Sequence, residues 1–145
     1  QKQAERAEAG KASALDGVAL ALPALKRAEK LQARAARVGF DWPAFAPTVD
    51  KVREELGELS DAVAADEPQA RLQEEVGDLL FALVNVARKL EIDPEAALRD
   101  ANAKFERRFH AIEAALAERG KTPDQSSLEE MDALWDSAKE AERRR

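Results

Sequence analysis

Apolar residues recur at intervals of three and four from Leu22 to Ala138, while alternation of β-branched residues never runs for more than a few positions and Tyr is absent. That period lines one face of a helix, so the chain is predicted to be all-α. Turn residues divide it into about five helices. Pro23 suits a first turn and Gly39 a left-handed cap, which bound a first helix. The segment GFDWPAFAP, with two Pro and three aromatics, is expected to be a loop folded back onto the core. A second helix from about Pro47 to Ala65 carries the stripe Val49, Val52, Leu56, Leu59 and Val63, and DEPQA ends it. The third, about Ala70 to Leu90, contains DLLFALVNVA and is apolar on every side, as suits the middle of a bundle. Asp93 and Pro94 start a fourth that runs to Arg119 and stops at Gly120, with Leu98, Ala101, Phe105, Phe109, Ile112 and Leu116 as its stripe. Ser126 with Glu129, or Ser127 with Glu130, makes a capping box for a last helix bearing Leu128, Met131, Trp135 and Ala138. Five helices with short connections make a helical bundle.

Composition then removes whole classes of chemistry. There is no Cys and one His, His110, which excludes disulfides, thiolate nucleophiles, zinc–thiolate sites and any metal site needing two imidazoles. With 23 Lys and Arg against 29 Asp and Glu, the formal charge is −6, and no basic cluster precedes Arg143 to Arg145, so nucleic acid is not the expected partner. The apolar run Gly17 to Leu25 is too short to span a bilayer and no targeting signal follows it, which argues for no membrane and for the cytoplasm. Residues 1–15 are polar and weakly periodic and are expected to be a linker or tail; residues 16–145 are enough for one domain. What remains for chemistry is carboxylates, Lys, Arg, Ser, Thr and Asn.

The acidic residues are informative by position around their helices. At 100° per residue, Glu55 lies about 70° from the second helix's stripe and Glu58 about 130°, on the same side as Lys51, while Glu54 points away. Glu55 and Glu58, at i and i+3, are neighbours that one ion could bridge. On the third helix Glu75, Asp78 and Asn85 form one polar strip in apolar surroundings. Two such pairs on facing helices would repel unless cations compensated, and an all-oxygen site without His or Cys favours Mg²⁺ or Mn²⁺. The alternatives are ordinary: E-x-x-E is common on solvated helices, and Glu75 and Asp78 also suit a helix's positive N-terminal end. Asn85, two turns further in, is not explained that way. On the fourth helix Lys104 and Arg108 share a flank while Arg107 and His110 point outward; with Lys51 they either line a phosphate-binding cleft or are solvated charges with stems along the core. Trp135 is either core or the closure of a pocket.

Several stretches together carry a resemblance: ALPALKRAEKLQARAARVGFDW, KVREELGEL, LQEEVGDLLFALVNVAR, ANAKFERRF and MDALW, over about residues 15–140, closely resemble the MazG nucleoside triphosphate pyrophosphohydrolases. The resemblance implies an all-α fold, a dimer of bundles, and Mg²⁺-dependent cleavage of nucleoside triphosphates to monophosphate and pyrophosphate. It implies Glu55, Glu58, Glu75 and Asp78 as metal ligands, Glu54 as the remaining motif carboxylate, and Lys51, Lys104, Arg107, Arg108 and Trp135 as nucleotide contacts. Arg107 points outward on the wheel, so it would have to reach a neighbouring subunit. Glu54 or Glu58 would orient or deprotonate the attacking water, and Asn85 joins the substrate-binding set. Two departures stand out: Arg71 and Gln73 replace residues that are often Lys and Glu in the family. Many members carry two such domains in tandem, so a polar start without Met fits the second half of such a protein. The expected function is thus hydrolysis at the α-phosphorus; its rivals are a non-catalytic helical interaction module and a narrow housecleaning enzyme for one modified or deoxyribonucleotide. A homodimer or higher oligomer also follows from the third helix, with Phe81 and Val84 facing away from Leu79, Leu83, Val86 and Leu90, which needs cover on both faces.

Overall fold

The computed structural model describes residues 12–145. The order is α1 (Ala24–Arg37), α2 (Phe45–Ala64), α3 (Gln69–Lys89), α4 (Pro94–Glu118), a 3-10 turn (Pro123–Gln125) and α5 (Leu128–Arg143), with no strand among the described residues. The expected all-α class and five helices are what is found. The chain divides after Ala97 into two compact units, the boundary falling inside α4.

Local chemistry sets the boundaries. Gly39 after α1 and Gly120 after α4 have φ of +96° and +72°, values that strain any side chain and so stop each helix there. The Asp93 carboxylate accepts from the Glu95 backbone N–H at 3.0 Å and opens α4. Of the two capping pairs read from the sequence, Ser127 holds the Glu130 backbone N–H at 3.1 Å, while Ser126 donates to the Glu130 side chain. The expected tail falls mostly on residues 1–11, outside the described residues. Within its last few residues, Ser13 N–H donates to Asp16 Oδ2 at 2.9 Å, and Arg34 of α1 donates to the Asp16 carbonyl.

In the first unit α3 packs against both α1 and α2. The side chains between them depart from the expected stripes. Thr48, Glu55 and Ala62, each two turns apart, are the buried line of α2, whereas Leu56 and Val63 are half-exposed. On α3 the buried residues are Glu75, Ala82 and Val84, while Leu83 and Leu90 are half-exposed. Val84, expected to face away from the stripe of Leu79, Leu83, Val86 and Leu90, is buried instead, so the packed face of α3 is not the one its large apolar residues mark. The helices of this unit approach along lines that include the small Ala62 and Ala82, and several larger apolar side chains are left half-exposed.

The loop after α1 also differs from expectation. Phe40 is 82% exposed and Trp42 and Phe45 are half-exposed, so none of the three aromatics is buried in the core. Charge docks this loop instead: Asp41 pairs with Arg88 at 2.5 Å and Lys89 at 3.0 Å, both in the last turn of α3. These guanidinium and ammonium groups, Arg88 foremost and against the opposing effect of burial, hold the Asp41 carboxyl down at about 2. In the second unit Ile112 and Leu116 are buried, whereas Leu98 and Phe105 of the expected stripe are half-exposed. Among the described residues no helix is long and apolar enough to cross a membrane.

Candidate functional site

The buried lines of α2 and α3 each carry one carboxylate. Glu55 and Ala62 are seven residues apart on α2, and Glu75 and Ala82 are seven apart on α3. Small residues two turns away let the helices approach, which encloses the acids rather than leaving them in solvent. Glu55 is 6% and Glu75 2% exposed. Asp78, one turn beyond Glu75 and exposed, completes a cluster in which one oxygen from each of the three lies within 4.8 Å of the others.

Each buried carboxylate has one oxygen satisfied and one not. Lys51, one turn before Glu55, holds its Oε1 at 3.1 Å. Arg71, one turn before Glu75, holds its Oε1 at 2.6 Å. The Oε2 atoms of both are buried with no hydrogen-bond partner. Buried anionic oxygens without a donor are costly. With Asp78, the two glutamates make an all-oxygen cluster that could hold a hard divalent cation.

Glu58 is exposed and is not one of the three clustered acids, but it lies in their field. The charge of Glu55, then burial, then the charge of Glu75, raise its carboxyl above the usual range. Glu54 is exposed and pairs with Lys51 at 3.4 Å. Lys51 thus serves both neighbours, and its ammonium is raised by Glu55 first, against burial, with Glu54 adding. Asn85 is partly buried, and its Oδ1 accepts from Arg88 Nε at 3.1 Å and from the same guanidinium's NH2 at 2.7 Å. Lys51, Glu55, Asp78 and Asn85 lie on the wall of one cavity of about 620 Å³, whose aromatic side is Phe40, Trp42 and Phe81.

The other sequence-derived residues belong to the second unit. Arg107 is exposed, Arg108 is not, and both bind Glu142, Arg107 through Nε at 3.1 Å and Arg108 through NH2 at 2.9 Å. The Glu142 carboxyl is held below the usual range, by Arg108 more than by Arg107. Trp135 is partly buried, with the Arg108 guanidinium 5.2 Å above its ring and Phe105 tilted against it at 5.7 Å. Lys104 and His110 are exposed. Sequence reasoning missed Arg71 as the partner of Glu75, though its i, i+4 spacing repeats that of Lys51 and Glu55. It missed Asp41, Arg88 and Gln32 altogether.

With this arrangement in place, the comparisons with known proteins are specific. Residues 45–112 match the MazG nucleotide pyrophosphohydrolase domain, a stretch that contains Glu55, Glu75 and Asp78. The chain carries a MazG domain. It is 49% identical over 142 residues to a nucleoside triphosphate pyrophosphohydrolase of Escherichia coli (strain K12), a match covering 97% of this chain and 54% of the relative. A nucleoside triphosphate pyrophosphohydrolase/pyrophosphatase MazG of Thermotoga maritima is 42% identical over 118 residues, 81% of this chain and 45% of the relative. The chain therefore spans about half the length of these relatives. The matched family segment begins at the first residue of α2 and ends within α4.

Proposed function

We propose that this MazG domain hydrolyses nucleoside triphosphates to the monophosphate and pyrophosphate. The observation that carries the reading is the cluster of Glu55, Glu75 and Asp78, one oxygen of each within 4.8 Å of the others, in which both glutamates also keep a buried oxygen without a hydrogen-bond partner. The names of the E. coli and T. maritima relatives support the reaction class. Glu55, Glu58, Glu75 and Asp78 would hold Mg²⁺, or Mn²⁺ in its place. Bound there, the cation supplies positive charge to the triphosphate and makes water at the site more acidic.

The chain's own residues do the rest. Water attacks the α-phosphorus, its oxygen becomes part of the monophosphate, and the bond from that phosphorus to the bridging oxygen breaks to release pyrophosphate. Glu58 accepts the water's proton, while Glu54 holds Lys51 in place. Lys51 orients phosphate, joined by Lys104, Arg107 and Arg108 as the resemblance implies, with Trp135 and Asn85 as further nucleotide contacts. In this reading Glu142 stands in for phosphate on Arg107 and Arg108 until substrate arrives.

The protein would act in the cytoplasm as a homodimer, in which a second copy covers the half-exposed Leu56, Val63, Leu83 and Leu90. Chromatography of the products from a nucleoside triphosphate and Mg²⁺ tests the reaction. Monophosphate and pyrophosphate are expected, and diphosphate with orthophosphate as first products would refute it.

A further inference from the structure

A second cavity, of about 630 Å³, lies between α1, the residues 17–22 that precede it and the turn from α3 into α4. Charge in its wall is not balanced. Its acids Glu29 and Asp93 are both held by Lys26, at 2.9 and 3.4 Å, and Arg88 is committed to Asp41. What remains is Lys30, Arg34 and Arg37, which enter no ion pair among the described residues, against Glu91 alone. Arg34 is partly buried and gives one N–H to the Asp16 carbonyl, a bond that fixes the guanidinium without neutralising it and leaves most of its donors over. Cations suit the last turn of a helix, which accounts for Arg34 and Arg37 on α1 but not for Lys30, one turn earlier in the same cavity.

We infer that this cavity binds an oligophosphate, a small anion of two or more linked phosphoryl groups. The site uses none of the carboxylates of the metal cluster and stands apart from the proposed hydrolysis. Lys30, Arg34 and Arg37 follow one another by four and three residues, so they share a face of α1 and span about 10 Å along its axis. A chain of linked phosphoryl groups can meet all three at once, and the guanidinium forks pair with phosphate oxygens two at a time. Leu22 and Ile92 give the wall apolar surface, which focuses the field of the charges beside it. The chain's net charge of −6 repels anions in general, so three uncompensated cations in one cavity are a local exception rather than part of a basic surface.

Calorimetric titration with tripolyphosphate in EDTA tests the site, since without metal the acidic cluster repels the same anion. One saturable site per chain is expected, weakening as salt is raised, and no saturable binding would overturn the inference. Lys30 and Arg37 are exposed, so Lys30→Gln with Arg37→Gln removes two cations without disturbing packing, and Kd should rise about tenfold or more. Lys139→Gln with Arg143→Gln removes the same charge from exposed positions of α5 and should leave Kd unchanged; equal losses in the two double variants would mean general electrostatics and would overturn the site. Glu91→Gln removes the opposing acid and should lower Kd about two- to fivefold. Asp78→Asn should leave it unchanged, and tighter binding there would place the anion beside the carboxylates instead. Orthophosphate binding as tightly as tripolyphosphate would contradict the linked-phosphate assignment. A nucleoside triphosphate titrated in parallel distinguishes the source. An affinity equal to or weaker than that of tripolyphosphate assigns the site to free oligophosphate, and a tighter one, still lost in Lys30→Gln with Arg37→Gln, assigns it to the phosphate tail of a nucleotide.

Discussion

Replacing Asp78 by Asn should stabilise the metal-free protein while removing its response to metal. Glu55 and Glu75 each have a cation on one oxygen, but among the described residues Asp78 enters no ion pair, so its charge meets only repulsion from its two neighbours. At the cluster's outer separation of 4.8 Å, one such pair repels by about 3.5 kcal/mol at an effective dielectric of 20 and by about 0.9 kcal/mol in water. Asp78 is exposed, so the lower figure applies, and Lys51 and Arg71 neutralise part of the field. Two pairs then amount to about 1 to 2 kcal/mol, which corresponds to a Tm higher by about 3 to 8 °C for a chain of this size. The assay is thermal unfolding followed by circular dichroism, first in EDTA and then in Mg²⁺. Mg²⁺ at about a hundred times its Kd should stabilise the unaltered chain by about 2.7 kcal/mol and the variant far less. An Asp78→Asn protein that melts no higher in EDTA, yet gains as much from Mg²⁺ as the unaltered chain, would refute the converging-carboxylate argument.

Glu58→Gln should lower turnover by about 100-fold or more and Glu54→Gln by less than about tenfold, as befits a proton acceptor against a residue that steadies Lys51; equal losses would move the proton to Glu54. The Asp41 carboxyl titrates at about 2 in the fold against an ordinary 3.8, so its ion pairs stabilise fully above pH 3.8 and lose that contribution as pH falls towards 2. Unfolding of Asp41→Asn across that range checks it: the variant should be less stable at neutral pH and converge with the unaltered chain near pH 2. Light scattering at micromolar concentration should give twice the 15.9 kDa chain mass, and an active species of one chain mass would remove the homodimer.

The helices were legible because their ends depend on neighbours in sequence: Gly39 and Gly120 at positive φ, Asp93 and Ser127 as caps. The carboxylates were legible for a related reason, since two acids one turn apart in apolar surroundings are anomalous whatever packs against them. What packs against a helix is not local information. Leu56, Val63, Leu83 and Leu90 form clear stripes, yet burial follows the small-residue line through Ala62 and Ala82. Gln32 was invisible because a glutamine on an amphipathic helix looks like surface, and only the long-range bond to Phe81 shows it inside. The Asp41 pairs with Arg88 and Lys89 join groups 47 and 48 residues apart, beyond any periodicity.

The central claim, that the Glu55, Glu75 and Asp78 cluster presents the α-phosphorus to water, is tested most directly by where the water's oxygen goes. Hydrolysis of a nucleoside triphosphate in ¹⁸O-enriched water with Mg²⁺, read by mass spectrometry of both products, should place one label in the monophosphate and none in the pyrophosphate. Label in the pyrophosphate would mean attack at the β-phosphorus and would contradict the account.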